Sequence, residues 1–253
     1  MTPTVLVVLA GLATGSFLNV VIHRLPRGES IVHPRSACPR CGRPIRWHDN
    51  VPILGWLLLR GRCRDCRAPI SIGYPLVEAA TLGIFLLIYR RFGWEPLLIP
   101  RLALGAALVA LFVIDLKHQL LPDRITLTGL GAGLGFSVAL PPGFRDAVIG
   151  AAAGYALLWA LAEAWYALKK QQAMGGGDLK MLAMIGAFVG WRAMLVAFAV
   201  SIVLGGLAAA VLLAVGRVGW GSKLPYGCFL AAGGVVAALY GEELLAWYLS
   251  MYR

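Results

Sequence analysis

Charged residues are scarce in this chain, at 14% of 253, and acidic ones scarcer still, with 12 Asp and Glu in all. A soluble domain carries about a quarter of its residues as charges, so an ordinary globular surface is excluded. The opening stretch "MTPTVLVVLAGLATGSFLNVV" has no basic n-region and no A-x-A-like cleavage site. It is therefore expected to be a first membrane span rather than a cleaved signal. No G-x-G-x-x-G loop follows a strand-like run, so nothing in the pattern points to a nucleotide-binding turn. Cysteine is limited to five residues, and four of them fall in two close pairs.

What is present in abundance is apolar. Hydrophobic residues make up 59% of the chain and mean hydropathy is +0.76. They come in runs that match the roughly 17–25 residues needed to cross a bilayer. The expected fold is an all-α integral membrane protein of about eight transmembrane helices, at roughly 3–22, 74–90, 97–114, 125–141, 146–168, 179–191, 193–215 and 226–249. A first helix over 1–22, a polar segment over 23–73 and a polytopic region over 74–253 make up the expected organisation.

The net charge of +11 invites a nucleic-acid reading until the charges are placed. With the N-terminus outside, 17 of the 23 Lys and Arg fall on the inner side, ten of them in residues 24–73. The other six are Arg90, Arg91, Arg101, Arg145, Arg192 and Arg253. That asymmetry follows the positive-inside rule, sets the orientation, and leaves no nucleic-acid partner to explain. The partner implied is the lipid bilayer.

The polar segment holds "CPRC" (Cys38, Cys41) and "CRDC" (Cys63, Cys66), with 21 residues between the pairs. Two such knuckles match a closed structural Cys₄ zinc site, whose metal supplies folding energy that so small a segment lacks. Two redox dithiols or two disulfides are the alternatives, but disulfides rarely persist in a cytoplasmic segment. His33 and His48 read as surface residues and Cys228 as a packing residue.

Ionisable groups at membrane depth are costly and ask for a reason. Asp115 ends the third span in "LFVIDLKHQLLPDRIT", and Asp178 opens the sixth in "GGGDLKMLAMIGAFVG". Both ends lie on the inner side, so a helix bundle can bring the two together. Two facing carboxylates are the machinery of acid–base hydrolysis, one as base and one as acid. Gly175, Gly176 and Gly177 are expected to let the backbone unwind and admit a peptide. The plainer alternative is a loop-to-helix junction with Asp178 near a helix N-terminus. Asp123 is a third carboxylate or a helix-start residue, Lys180 a neighbour able to tune Asp178, and Glu78 and Glu163 candidate partners near the inner span ends.

Taken together, "GSFLNVVIHRLP", "CPRC", "DNVPILGWLLLRGRCRDC", "ISIGYPLVEAATLGIF", "DLKHQLLPDRITL", "GGGDLKMLAMIGAFVGW" and "LPYGCFLAAGG" resemble the type IV prepilin peptidases over nearly the whole chain. The resemblance implies an inner-membrane aspartyl endopeptidase with Asp115 and Asp178 as its catalytic pair. It implies a cytoplasmic zinc segment on Cys38, Cys41, Cys63 and Cys66, and prepilin or pseudopilin substrates cut on the cytoplasmic side. It also implies N-methylation of the new terminus with S-adenosylmethionine, which no residue pattern shows independently. Thr128, Cys228 and His23 depart from common family residues. A different intramembrane protease, an ion transporter lined by the aspartates, and an inactive scaffold remain the alternatives from other classes. Transporters favour midplane polar residues and internal repeats, neither of which is evident.

Overall fold

The computed structural model describes residues 2–171, 174–217, 219 and 224–252. Lys223 and Arg253, counted in the charge asymmetry, lie outside the described residues. Eight helices account for most of the described chain: α1 (Pro3–Arg24), α2 (Leu54–Leu58), α3 (Gly73–Phe92), α4 (Leu98–His118), α5 (Asp123–Ser137), α6 (Phe144–Lys169), α7 (Gly176–Ala214) and α8 (Tyr226–Ser250). Among the described residues the only β pairing is two isolated bridges. Basic residues close α1 (His23, Arg24), α4 (Lys117, His118) and α6 (Lys169), where they complement the negative helix end.

Among the described residues, five helices are long and apolar enough to cross a membrane, namely α1, α4, α6, α7 and α8. The expectation of eight spans is therefore corrected in two ways. The 15-residue α5 is about 22 Å long, short of a bilayer core of about 30 Å, and α3 carries Glu78, Arg90 and Arg91. The expected spans 179–191 and 193–215 are also fused in α7, whose 39 residues include one non-helical residue, Gly190, at φ 79° and ψ 169°.

The chain forms two compact units, residues 1–98 and 99–253. In the first, α1 packs on α3 through Gly11 and Gly15, a G-x-x-x-G spacing that brings two backbones close. A Cβ at Gly15 would lie 2.7 Å from Glu78 Cα, and one at Gly11 3.1 Å from Leu82 Cα. Asn19 Nδ2 donates to the Tyr74 carbonyl at 3.1 Å across the same contact.

In the second unit the stretch of α7 before Gly190 is the centre. Leu179 and every residue from Met181 to Gly190 are buried, as befits a helix that is apolar all round. Helix α6 meets it through Gly150 and Gly154, where added Cβ atoms would strike the Gly186 and Leu182 carbonyls at 2.5 and 2.9 Å. Gly129 and Gly133 of α5 face Met184 and Phe188.

Helix α8 reveals what Gly190 does. Its Gly234 sits at Ile185, and its Gly227 meets Leu121, which also meets Gly177 at the start of α7, so α8 runs parallel to the first limb. Its Gly233 sits at Ala197 and Ser201 and its Gly241 at Ala193, so it runs antiparallel to the second limb. The two limbs of α7 therefore reverse direction at one glycine. A straight 39-residue helix would reach about 58 Å, nearly two bilayer cores. Arg101 of α4 supports the turn by donating Nη1 to the Phe188 carbonyl at 3.3 Å.

Candidate active site and metal centre

The two cysteine knuckles are copies of one another. Cys38 N–H donates to the Arg43 carbonyl and Gly42 N–H back to Cys38; Cys63 N–H donates to Ala68 and Arg67 N–H back to Cys63. Bridges Ala37–Pro44 and Arg62–Pro69 close each loop at the same place. The signal for this lay in the sequence as C-x-x-C-x-x-P-I, present at 38–45 and 63–70, and it was not read as a repeat. Gly42 takes φ 70° where Arg67 takes φ 57°, so the second copy holds an arginine in the left-handed region.

The four Sγ atoms lie within 4.8 Å of one another, and none of the cysteines is in a disulfide. Cys38 and Cys66 Sγ are 3.7 Å apart. Tetrahedral thiolates at about 2.3 Å from one ion sit about 3.8 Å apart, so the cluster is positioned to bind a metal. The N–H groups of Cys41 and Arg40 draw the Cys38 thiol down to about 6, whereas burial and its neighbouring thiols push Cys66 up to about 11.

Two ion pairs brace the loops. Arg43 reaches Asp65 at 2.9 Å, joining the first knuckle to the second. Arg64 grips both oxygens of Asp49 at 2.8 and 2.5 Å, and its fork holds that carboxyl below the usual range. Glu78, expected as a partner of the aspartates, finds its partners within the first unit instead. It accepts the Ile53 N–H at 2.7 Å, fixing the segment before α2 onto α3.

In the second unit Asp115 and Asp178 are brought close enough for their charges to interact. Asp115 is buried near the end of α4. Its Oδ2 accepts the Cys228 N–H at 3.1 Å, one of the orphan donors in the first turn of α8. Asp178 is the third residue of α7 and is half-buried.

Leu121, in the link between α4 and α5, occupies the gap between the two helix starts. A Cβ at Gly177 would lie 2.8 Å from Leu121 Cβ, and one at Gly227 3.0 Å from its methyl groups and 2.9 Å from Asp115 Oδ2. Two helix N-termini and the end of a third thus converge on two carboxylates.

The glycines before Asp178 do not unwind. Gly175 is the residue before α7, and Gly176 and Gly177 are already helical, with Asp178 N–H donating to the Gly175 carbonyl at 3.2 Å. The close approach of Leu121 explains glycine at 177, while Gly176 has open space around it. Lys180 turns to Asp123 at the first turn of α5, with Nζ 2.7 Å from both oxygens. That pair ties the start of α5 to the start of α7. Glu163 is exposed on α6.

Gly227, Cys228 and Tyr226 were missed as contributors. Tyr226 opens α8 and its hydroxyl meets Ser201 Oγ at 2.8 Å. Cys228 donates its thiol to the Phe112 carbonyl at 3.3 Å besides meeting Asp115. Their signal was "LPYGC", where a proline-marked helix start follows a long apolar run.

These features define a helical membrane protein with four cysteines positioned to bind a metal in one unit and two aspartates whose charges interact in the other. Two family profiles match it in the same order. The one described as the bacterial peptidase A24 N-terminal domain covers residues 9–92, and the one described as the type IV leader peptidase family covers 102–210. A prepilin leader peptidase/N-methyltransferase of Myxococcus xanthus is 48% identical over 73% of this chain and 56% of its own length. One of Aeromonas hydrophila is 41% identical over 98% of this chain and 94% of its own, and one of Burkholderia pseudomallei 38% over 92% and 84%. The chain belongs to the prepilin leader peptidase/N-methyltransferase family. No solved structure matches it.

Proposed function

We propose that this protein is a membrane-embedded aspartyl endopeptidase that removes the leader peptide of type IV prepilins and pseudopilins, with Asp115 and Asp178 as the catalytic pair. One observation carries the reading. Two carboxylates 63 positions apart in sequence lie close enough for their charges to interact, with Leu121 packed against the glycines that start α7 and α8 beside them. Burying a second like charge beside a first is costly, and a water-activating dyad is the chemistry that uses it.

In this mechanism one aspartate takes a proton from a water that attacks the scissile carbonyl. Its partner, protonated, gives its proton to the carbonyl oxygen. The tetrahedral intermediate collapses with proton transfer to the departing amine, and the pair is ready again. The two groups titrate as one unit, so neither proton belongs to a single residue. The Cys228 N–H holds one oxygen of Asp115, which leaves the other oriented for water.

Cys38, Cys41, Cys63 and Cys66 hold a structural zinc ion in this reading, supported by four thiols at tetrahedral spacing. The ion supplies folding energy to its segment and takes no part in the hydrolysis. N-methylation of the new terminus, with S-adenosylmethionine as donor, rests on the activity named for the relatives, and no described residue is assigned to it. The excess of Lys and Arg on one side supports an N-terminus outside and both sites facing the cytoplasm, in a bacterial inner membrane.

The test is cleavage of a prepilin-like substrate by purified protein, wild type beside Asp178→Ala, with product mass followed with and without S-adenosylmethionine. Cleavage by wild type alone, followed by one methyl increment with the donor, is expected. A folded, zinc-loaded wild type that leaves the substrate intact would overturn the reading.

A further inference from the structure

The segment between α1 and α3 exposes more large apolar side chains than a water-facing domain can carry. Leu57 and Leu58 of α2 are 55% and 81% exposed, Leu54 57%, and Trp47, in the 3₁₀ turn just before α2, 83%. Single exposed leucines need no account, but a contiguous patch on a short helix does.

Its depth is fixed by a hydrogen bond. Ile53, the residue that starts α2, donates to Glu78, the sixth residue of α3, about 8 Å along that helix from its first residue. Trp56 of α2 donates Nε1 to the Ile70 carbonyl at 3.1 Å, which holds the opposite face of α2 inward. Helix α2 therefore lies beside the first turns of α3, where that helix already presents Leu76 outward, 58% exposed.

The charge of the segment points the same way. Residues 24–73 hold ten arginines and no lysine against three acids, Glu29, Asp49 and Asp65. Two of those acids are taken by Arg43 and Arg64. Arg46, Arg60 and Arg62 stay exposed around Trp47 and α2.

We propose that α2 and Trp47 are an interfacial anchor seated in the bilayer leaflet on the side of the cysteine segment, with the surrounding arginines on anionic lipid headgroups. An aromatic at the headgroup level, leucines buried about 5–10 Å below it, and an arginine rim are the features by which a surface helix grips a bilayer. Arginine forks also match phosphate oxygens, which single ammonium groups do only as point charges. The anchor holds the four-cysteine cluster against the membrane beside α1, the apolar helix that precedes it. It does not depend on the peptidase reading.

Leu57→Trp, read as the difference from wild type in nanodiscs of phosphatidylcholine and phosphatidylglycerol, tests this. Unaltered metal content reports that the variant folds. With lipids brominated high on the acyl chain, the added emission should be largely lost, while aqueous iodide leaves it unchanged. Loss to iodide but not to brominated lipid places α2 in water and overturns the anchor. Protection from both means that protein covers the patch, and overturns it equally. Trp47, read from a Trp47→Phe difference, should respond to brominated lipid more strongly with phosphatidylglycerol than with phosphatidylcholine alone. An equal response removes the anionic headgroup from the account.

Discussion

The cysteine segment and the aspartate site are held together by opposite means. The first is largely exposed and is organised by hydrogen-bonded knuckles, two arginine–aspartate pairs and four thiols at metal-binding spacing. The second is apolar and organised by glycines that let helices touch, with its polar atoms satisfied by backbone donors at helix starts. A segment this small buries too little surface to fold by itself, and four thiols placed to bind a metal offer the compensation. In a bilayer there is no hydrophobic gain from helix pairing, so close packing through small residues takes over. The first region should fail by losing ligands, and the second by gaining atoms.

The comparison is broken most sharply at the carboxylates. Asp115→Asn or Asp178→Asn should lower cleavage on the order of 10⁴-fold or more while all eight helices persist, judged by single-turnover rates and circular dichroism. Substantial residual cleavage by either would dissolve the proposed pair. Next in size is the metal. Cys38→Ser, or a chelator, removes a contribution of about 10 kcal/mol or more from residues 23–73. Hydrogen exchange should rise through both knuckles and stay low in the first limb of α7; uniform exchange would deny that the regions are held separately.

Adding single carbons sharpens the contrast further. Gly227→Ala places a Cβ 2.9 Å from Asp115 Oδ2 and should cost about 1–3 kcal/mol, with a fall in kcat larger than any change in KM. Gly176→Ala, one helical turn's start with open space, should be neutral or stabilising by about 0.5–1 kcal/mol. Equal effects from the two would mean that packing around Leu121 is not what selects glycine.

The smallest effect belongs to Asp49. Arg64 lowers its folded pKa below the unfolded value, so the pair stabilises the segment above about pH 4 and loses that contribution as acid titrates Asp49 in the fold. Because Arg64 is partly exposed, screening limits the contribution to about 1 kcal/mol or less. Asp49→Asn should therefore melt slightly earlier than wild type at pH 7, with the gap closing as pH falls below 4. A gap that widens on acidification would contradict the sign.

Much of this was legible beforehand because it is local. Cysteine spacing declares a metal site wherever the rest of the chain goes, since each knuckle closes through hydrogen bonds within six residues. Apolar runs declare helices for a similar reason, and the break between the sixth and seventh expected spans fell close to Gly190. What stayed hidden is made by residues far apart. Glu78 looked like a partner for the aspartates and instead accepts Ile53, because a hydrogen bond across 25 positions leaves no periodic trace. The glycines before Asp178 looked like an unwound loop, yet Gly176 and Gly177 are helical and Gly177 is required by Leu121, which belongs to another helix connection. Cys228 looked like filler and carries the N–H that meets Asp115 across 113 positions.

The sequence by itself determined a membrane protein, its helices, four thiols at metal-binding spacing and the two aspartates of the proposed pair, because composition and short-range spacing act on every conformation of the chain. Only the tertiary structure decided that α7 reverses at Gly190, that Lys180 belongs to Asp123, and that α8 presents its first turn to Asp115. Those outcomes depend on which backbones can approach within van der Waals contact, and that is a property of helix pairs rather than of any one stretch of residues.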